Sequence, residues 1–195
     1  KTGVRQLAMQ DHKNDLIMGL ITRIDSPVAQ MSKVQTNAAL KRLLAGRSVA
    51  LGNSNSTTGG FVARAFLVEN DVFAPDLARF RHLESHGQVI DAVRSGKFDV
   101  GFVNVELIHG DSKLVVVRTR PVSEDLGRCF IAGPHMDDQV FMALQKSLLG
   151  MRDPAIIGKI EVAIAGFKLE RDHKFNPLRD IMRAATAFDS RTNAP

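Results

Sequence analysis

A polar segment at residues 52–60, Gly-Asn-Ser-Asn-Ser-Thr-Thr-Gly-Gly, carries the residue types best suited to hold an anion. It lies between an apolar run and a helical pattern, so we expect it to form the start of a helix. The first turn of a helix has unpaired backbone N–H groups and the positive end of the helix dipole. An anion bound there can also receive the hydroxyls of Ser56, Thr57 and Thr58. Capping of the helix by one of these hydroxyls, with no ligand, is the alternative that the pattern leaves open.

Four further polar residues come directly after predicted strands. His86 lies between a predicted strand and a predicted helix, Asn104 and Glu106 follow one buried strand, and Asp125 lies in the loop after another. In α/β sheets the loops that leave the C-terminal ends of the strands face one crevice, where ligands bind. We therefore expect these four residues to share a crevice with the segment 52–60. A structural role is the common alternative for a single histidine such as His86.

The motifs expected of several enzyme classes are absent from the sequence. No Gly-Lys-Ser or Gly-Lys-Thr ends the segment 52–60, and no serine lies in a Gly-x-Ser-x-Gly motif. A hydrolase that uses Ser56, His86 and Asp125 is therefore the least favoured hypothesis. His82 and His86 lie on either side of a strand-to-helix transition, so we predict no metal site there. No catalytic residue and no cofactor is predicted.

The composition is that of a folded protein without a membrane span. The 195 residues are 44% hydrophobic and 24% charged, and no stretch approaches 18 consecutive apolar residues. The net charge is +5, but the 26 basic residues are interleaved with 21 acidic ones and no Tyr or Trp is present to stack on bases. We therefore predict no nucleic-acid partner. The single cysteine, Cys129, cannot form an internal disulfide and is predicted to lie in the core.

The elements that must position these residues alternate between strands and helices. Apolar runs predict strands, and apolar residues at helical spacing predict helices. The predicted strands are 16–22, 47–52, 80–83, 98–103, 114–118 and 128–133, and the predicted helices are 28–44, 58–70, 87–95, 137–149 and 177–187. Such alternation indicates an α/β fold with a largely parallel sheet.

Two prolines mark places where the chain can cross between sheets. Pro27 and Pro121 each interrupt extended chain, and two such crossings are what a two-lobed protein needs. We predict a first lobe formed by residues 1–27 and 120–195. The second lobe, residues 28–119, carries the segment with the anion-binding pattern.

Several of these motifs together resemble a known family. Residues 44–51 followed by Ser-Thr-Thr-Gly at 56–59 resemble the strand, turn and helix start of the phosphonate-binding components of ABC importers. The Ser-His pair that opens residues 85–93 and the Gly-x-x-Asp strand motif within 96–104 follow in the order of that family. The likeness extends over about residues 17 to 182.

The resemblance implies a periplasmic-binding-protein-like α/β fold, with two lobes of mixed or parallel sheets joined by crossing strands. Members of the family begin with a further stretch that builds most of the first lobe, so we expect that lobe to be incomplete here. The implied function is capture of a small phosphonate, phosphate or phosphite-like oxyanion for an ABC permease in the periplasm. A ligand-sensing domain of a signalling or regulatory protein, with a sensor partner, is the alternative.

The resemblance also implies roles for individual residues. It implies that residues 56–58 and His86 hold the phosphonate head group. Acidic residues at positions like Glu106 and Asp125 meet a cationic amine at the other end of the ligand in that family. The crevice argument given above adds Asn104 to this set of ligand-binding residues.

Overall fold

The computed structural model describes residues 3–12, 16–31, 36–122, 128–160 and 164–189. The chain divides into two compact units, of which the first comprises residues 1–15 and 123–177 and the second residues 16–122 and 178–195. Each unit is therefore built from two separate stretches of chain. Within the described ranges, no helix is both long enough and apolar enough to span a bilayer.

Eight strands and seven α-helices occur in the described ranges. The strands are β1 (Arg5–His12), β2 (Ile17–Arg23), β3 (Ser48–Leu51), β4 (Arg79–His82), β5 (Val100–Asn104), β6 (Leu114–Pro121), β7 (Cys129–Ala132) and β8 (Ile164–Lys168). The helices are α1 (Pro27–Met31), α2 (Asn37–Leu44), α3 (Ala63–Glu69), α4 (His86–Arg94), α5 (Asp138–Gly150), α6 (Pro154–Ile160) and α7 (Asn176–Thr186). A π-helical turn, Thr57–Val62, leads directly into α3, and 3₁₀ turns occur at Ala74–Asp76, Val105–Ile108 and Asp172–Phe175.

The second unit contains a five-stranded mixed sheet in the order β4-β3-β5-β2-β6. Strand β3 is parallel to both β4 and β5, whereas β2 is antiparallel to β5 and β6. The predicted α/β class is confirmed, but the prediction of a largely parallel sheet is wrong, because this sheet is mixed. Because β3, β4 and β5 are parallel, their C-terminal ends meet at one edge of the sheet, and this edge carries the candidate site.

Apolar side chains cover both faces of this sheet. Val49 and Leu51 of β3 belong to one buried cluster, and Ala50 between them belongs to another. Successive side chains of a strand point to opposite faces, so helices must cover both. Helices α2, α3 and α7 contribute to the first cluster and α4 to the second.

Phe188, just after α7, is a fully buried part of the first cluster. Its ring packs edge-on against that of Phe80, with the ring centroids 5.1 Å apart. The N–H of Ala74 donates to the carbonyl of Phe188 at 3.1 Å. Phe188 is therefore an integral part of the core of the second unit.

The first unit contains a three-stranded antiparallel sheet in the order β7-β1-β8. Four buried apolar side chains form its small core: Ala8, Ile157, Ile164 and Phe167. The thirteen-residue helix α5 contributes half-buried side chains to this core, but none of its residues is fully buried.

Two further predictions from the sequence are wrong in this fold. Residues 28–44 do not form one helix, because Thr36 has an extended backbone (φ −92°, ψ 155°) and its hydroxyl caps α2 by accepting from the N–H of Ala39. Cys129 is exposed, not buried in the core. It lies in β7, an edge strand of the smaller sheet, and among the described residues only β1 pairs with this strand.

The boundaries of the two units differ from those predicted for the lobes. Strand β2, within the predicted first-lobe segment 1–27, lies between β5 and β6 in the larger sheet. The described residues from 178 onward also belong to the second unit, because α7 packs on the first cluster of that unit.

Candidate functional site

The polar segment begins where the chain leaves β3, at a close contact between two glycines. The N–H of Gly52 donates to the carbonyl of Gly59 at 2.9 Å. A Cβ atom on Gly59 would lie 2.8 Å from the Cα of Gly52, closer than real side chains approach. Glycine at both positions lets the start of the helix pack directly on the end of the strand.

The helix that follows begins with a π-helical turn. Ser56 has an extended backbone, and its hydroxyl oxygen accepts from the N–H of Gly59 at 3.4 Å. The N–H of Phe61 donates to the carbonyl of Ser56 at 2.9 Å, a separation of five residues. The N–H groups of Thr57 and Thr58 have no acceptor among the described residues. These two donors are the unpaired first-turn N–H groups expected at a helix start.

His86 lies against this turn. Its Nε2 is 3.3 Å from Oγ1 of Thr58, and the Thr58 side chain is buried. His86 is the first residue of α4, which Ser85 caps by accepting from the N–H of Gln88. Leu51 at the end of β3 pairs with His82 at the end of β4, so the two chains leave the sheet side by side. The parallel pairing is what brings the Thr58 hydroxyl and the imidazole together.

The imidazole of His86 is in its neutral form at neutral pH. Burial lowers the pKa of His86 below its ordinary value of 6.5. A hydrogen bond of the ring with the backbone of Phe102 raises the pKa, but by less. An anion that reached Nε2 would meet a neutral ring able to take up a proton.

Asn104 and Glu106 lie at the same edge of the sheet, after β5. The side-chain oxygen of Asn104 accepts from the N–H of Glu106 at 3.2 Å and caps the 3₁₀ turn that begins at Val105. Glu106 is exposed. No hydrogen bond joins either residue to Thr58 or His86 in the part of the chain that the structure describes. Asp125 lies outside the described residues.

Two further side chains hold the turn and were not predicted from the sequence to do so. Nδ1 of His82 lies 2.7 Å from the carbonyl oxygen of Gly52. The guanidinium of Arg64 donates to the carbonyls of Ser54, at 3.0 Å, and of Gly60, at 3.2 Å. The contact of Arg64 with Gly60 has a local signal in the sequence, because Arg64 follows Gly60 by one helical turn. None exists for His82, whose contact depends on how β3 and β4 pair.

Comparison with known proteins gives one family and several similar folds. A family model described as the periplasmic substrate-binding protein of phosphonate ABC transporters matches residues 1–175. No curated protein sequence matches the chain significantly.

Among solved structures, PhnD1 from Prochlorococcus marinus, in complex with methylphosphonate, has a TM-score of 0.77 and 16% identity, over 94% of this chain and 72% of that one. A binding-protein component of an ABC phosphonate transporter from Pseudomonas aeruginosa has a TM-score of 0.73 and 18% identity, over 96% and 65%. A Xanthomonas citri protein bound to ATP has a TM-score of 0.67 and 18% identity, over 95% and 72%. At these identities the structures show a shared fold. The chain spans about two thirds of the length of each.

Proposed function

The chain belongs to the family of periplasmic substrate-binding proteins of phosphonate ABC transporters, and from that membership we propose that it captures a small phosphonate-like oxyanion at the π-helical turn. The bound ligand is then presented to an ABC permease in the periplasm. In this proposal the protein acts by binding and release and carries out no chemical step.

The contact between Thr58 and His86 is the observation that carries this proposal. A hydroxyl and an imidazole nitrogen 3.3 Å apart, beside the unpaired N–H groups of Thr57 and Thr58, form a cluster of donors at a helix start. When Nε2–H donates to Oγ1 of Thr58, the Thr58 hydroxyl proton and the two backbone N–H groups are left to bond to the several acceptor oxygens of a tetrahedral oxyanion. The complex of PhnD1 with methylphosphonate shows that a protein of this fold can bind such a ligand.

Ser56 both caps the turn and can contact the ligand in the proposed site. Its hydroxyl oxygen already accepts from Gly59, which leaves the hydroxyl proton for a ligand oxygen.

The positions of Ser56 and His86 argue against a hydrolase, because Nε2 of His86 faces Thr58 and the described residues contain no hydrogen bond from Ser56 to His86. A nucleophilic serine needs a base within hydrogen-bond reach. Asn104 and Glu106 remain proposed ligand contacts, and so does Asp125, which lies outside the described residues.

Isothermal titration calorimetry of the full chain with methylphosphonate, inorganic phosphate and sulfate tests the proposal. We expect the wild type to bind at least one phosphorus oxyanion with a dissociation constant on the order of micromolar or below. Thr58→Val keeps the shape of the side chain and removes the hydroxyl, so binding should weaken about tenfold. Thr119→Val, at an exposed position on β6, is the matched control and should bind as the wild type does. Absence of heat with all three anions would rule out the proposed ligand class.

A pair of substitutions at His86 tests which ring nitrogen matters. The amide nitrogen of glutamine reaches the position of Nε2, whereas that of asparagine is two atoms from Cβ, like Nδ1. Since Nε2 is the atom near Thr58, His86→Gln should retain more affinity than His86→Asn. Equal affinities for the two variants, measured by the same titration, would contradict the assigned role of Nε2.

A further inference from the structure

His82 contacts the candidate site without facing its donors. Nδ1 of the ring lies 2.7 Å from the carbonyl oxygen of Gly52. A carbonyl only accepts hydrogen bonds, so Nδ1 must carry the proton and donate. The half-buried ring also packs edge-on against Phe80, with 6.2 Å between the ring centroids.

The backbone of Gly52 is thereby held on both sides. Its carbonyl accepts from His82, and its N–H donates to the carbonyl of Gly59 at 2.9 Å. Gly59 directly follows Thr58, and a Cβ atom on Gly59 would lie 3.2 Å from Cε1 of His86. A movement of Gly52 would therefore also move Gly59, and would change the distance between Thr58 and His86.

The position of His82 is itself fixed by the sheet. His82 pairs with Leu51 in the parallel ladder of β3 and β4, and the N–H of Leu83 donates to the carbonyl of Leu51 at 2.9 Å. The imidazole therefore reaches Gly52 from β4, which pairs directly with β3, the strand that Gly52 follows. Such preorganisation lowers the cost of ordering a site when the ligand arrives.

We propose that His82 is a positioning residue for anion binding: its Nδ1–H bond to the Gly52 carbonyl fixes the end of β3 against Gly59 and so sets the geometry of the donors at Thr58 and His86. The proposal rests on the proposed function, because it concerns the same anion site. His82 itself does not touch the anion.

The test compares His82→Asn with His82→Gln in the full chain, with methylphosphonate and inorganic phosphate as probes in calorimetry. The amide nitrogen of asparagine is as many bonds from the backbone as Nδ1 and can donate to Gly52, whereas glutamine places its nitrogen near the position of Nε2. We expect His82→Asn to bind within about twofold of the wild type and His82→Gln to bind about tenfold more weakly. This order is the reverse of that expected at His86, so a general loss of stability cannot produce both.

Amide hydrogen exchange at Gly52 provides a second readout that does not need a ligand. The Gly52 N–H should exchange faster in His82→Gln than in the wild type, and near the wild-type rate in His82→Asn. Circular dichroism and thermal unfolding check that each variant is folded. A wild type that binds while both variants bind equally well, or equally poorly, would overturn the role of His82. A wild type that binds neither probe would instead overturn the proposed function.

Discussion

At the scale of single residues, the titration of His86 links the site to stability. Its folded-state pKa lies below the ordinary value of 6.5 because the ring is buried. Between these two values the unfolded chain binds more protons than the folded one, so stability is complete above pH 6.5 and falls as the pH drops through the folded pKa. His86→Gln cannot titrate and should lose less stability on acidification. Denaturant unfolding of both proteins above and below pH 6.5 measures the difference, and identical pH dependence would contradict it.

Ligand binding should act on the same ring in the opposite direction. An anion near Nε2 favours the imidazolium, so methylphosphonate should raise the pKa of His86. NMR titration of the imidazole protons, with and without ligand, measures this change. The exposed His173 serves as the internal control. A ring of His86 that titrates identically in both samples would place the anion elsewhere.

The residues of the proposed site differ in how far the sequence could reveal them. Thr58 and His86 were predictable, because hydroxyls and a histidine after strands are local signals, and the structure places them in contact. The role of Asn104 and Glu106 stays a prediction. The contact of His82 was not predictable, because it depends on which residue of β4 pairs with Leu51. Pairing of strands from distant parts of the sequence has no signal within either strand.

At the scale of elements, the packing of the π-helical turn on β3 depends on glycine. Gly59→Ala would place a Cβ atom 2.8 Å from Gly52, so the turn must move away from the strand. We expect this variant to lose about 1–3 kcal/mol of stability and most of its affinity for the anion. Gly87→Ala, within α4, meets no atom closer than 3.7 Å and should leave both properties near those of the wild type. Denaturant unfolding and calorimetry report the two effects, and a Gly59→Ala variant with normal affinity would show that the close contact is dispensable.

Most elements of the second unit follow from apolar periodicity, whereas three elements of the first unit do not. The sequence did not predict β1, α6 or β8. Strand β1 contains Gln6, Gln10, Asp11 and His12, and its apolar residues are too few to produce a strong alternating pattern. Helix α6 has seven residues, with two isoleucines exposed and one buried, so its pattern is short. Such elements are stabilised by tertiary contacts more than by local preference.

At the scale of the whole molecule, exposed apolar side chains are concentrated in the first unit. Of the twelve large hydrophobic side chains exposed in the described ranges, nine lie there, although that unit is the smaller one. They are Val4, Phe130, Ile131, Val140, Met142, Leu144, Ile156, Ile160 and Leu169. Two of them, Phe130 and Ile131, lie on the edge strand β7, which has no charged residue. Exposed apolar edges of this kind promote association between chains.

We therefore expect the isolated chain to self-associate through the first unit as its concentration rises. Ile131→Lys places a charge on the edge strand and should reduce this association. Ile24→Lys is the matched control, because Ile24 is 60% exposed in the second unit and Ile131 is 62% exposed. Sedimentation velocity over a range of concentrations measures the association. Equal effects of the two substitutions would show that the edge strand is not the contact.

The burial of Phe188 has a consequence for the order of events during translation. The ribosome adds the polar segment, His82 and His86 long before it adds this phenylalanine. Until then, Phe80 lacks its aromatic neighbour and the Ala74 N–H lacks its acceptor. All of residues 123–177, the larger stretch of the other unit, must also be synthesised first. The first apolar cluster of the second unit is therefore incomplete until residue 188 has been added.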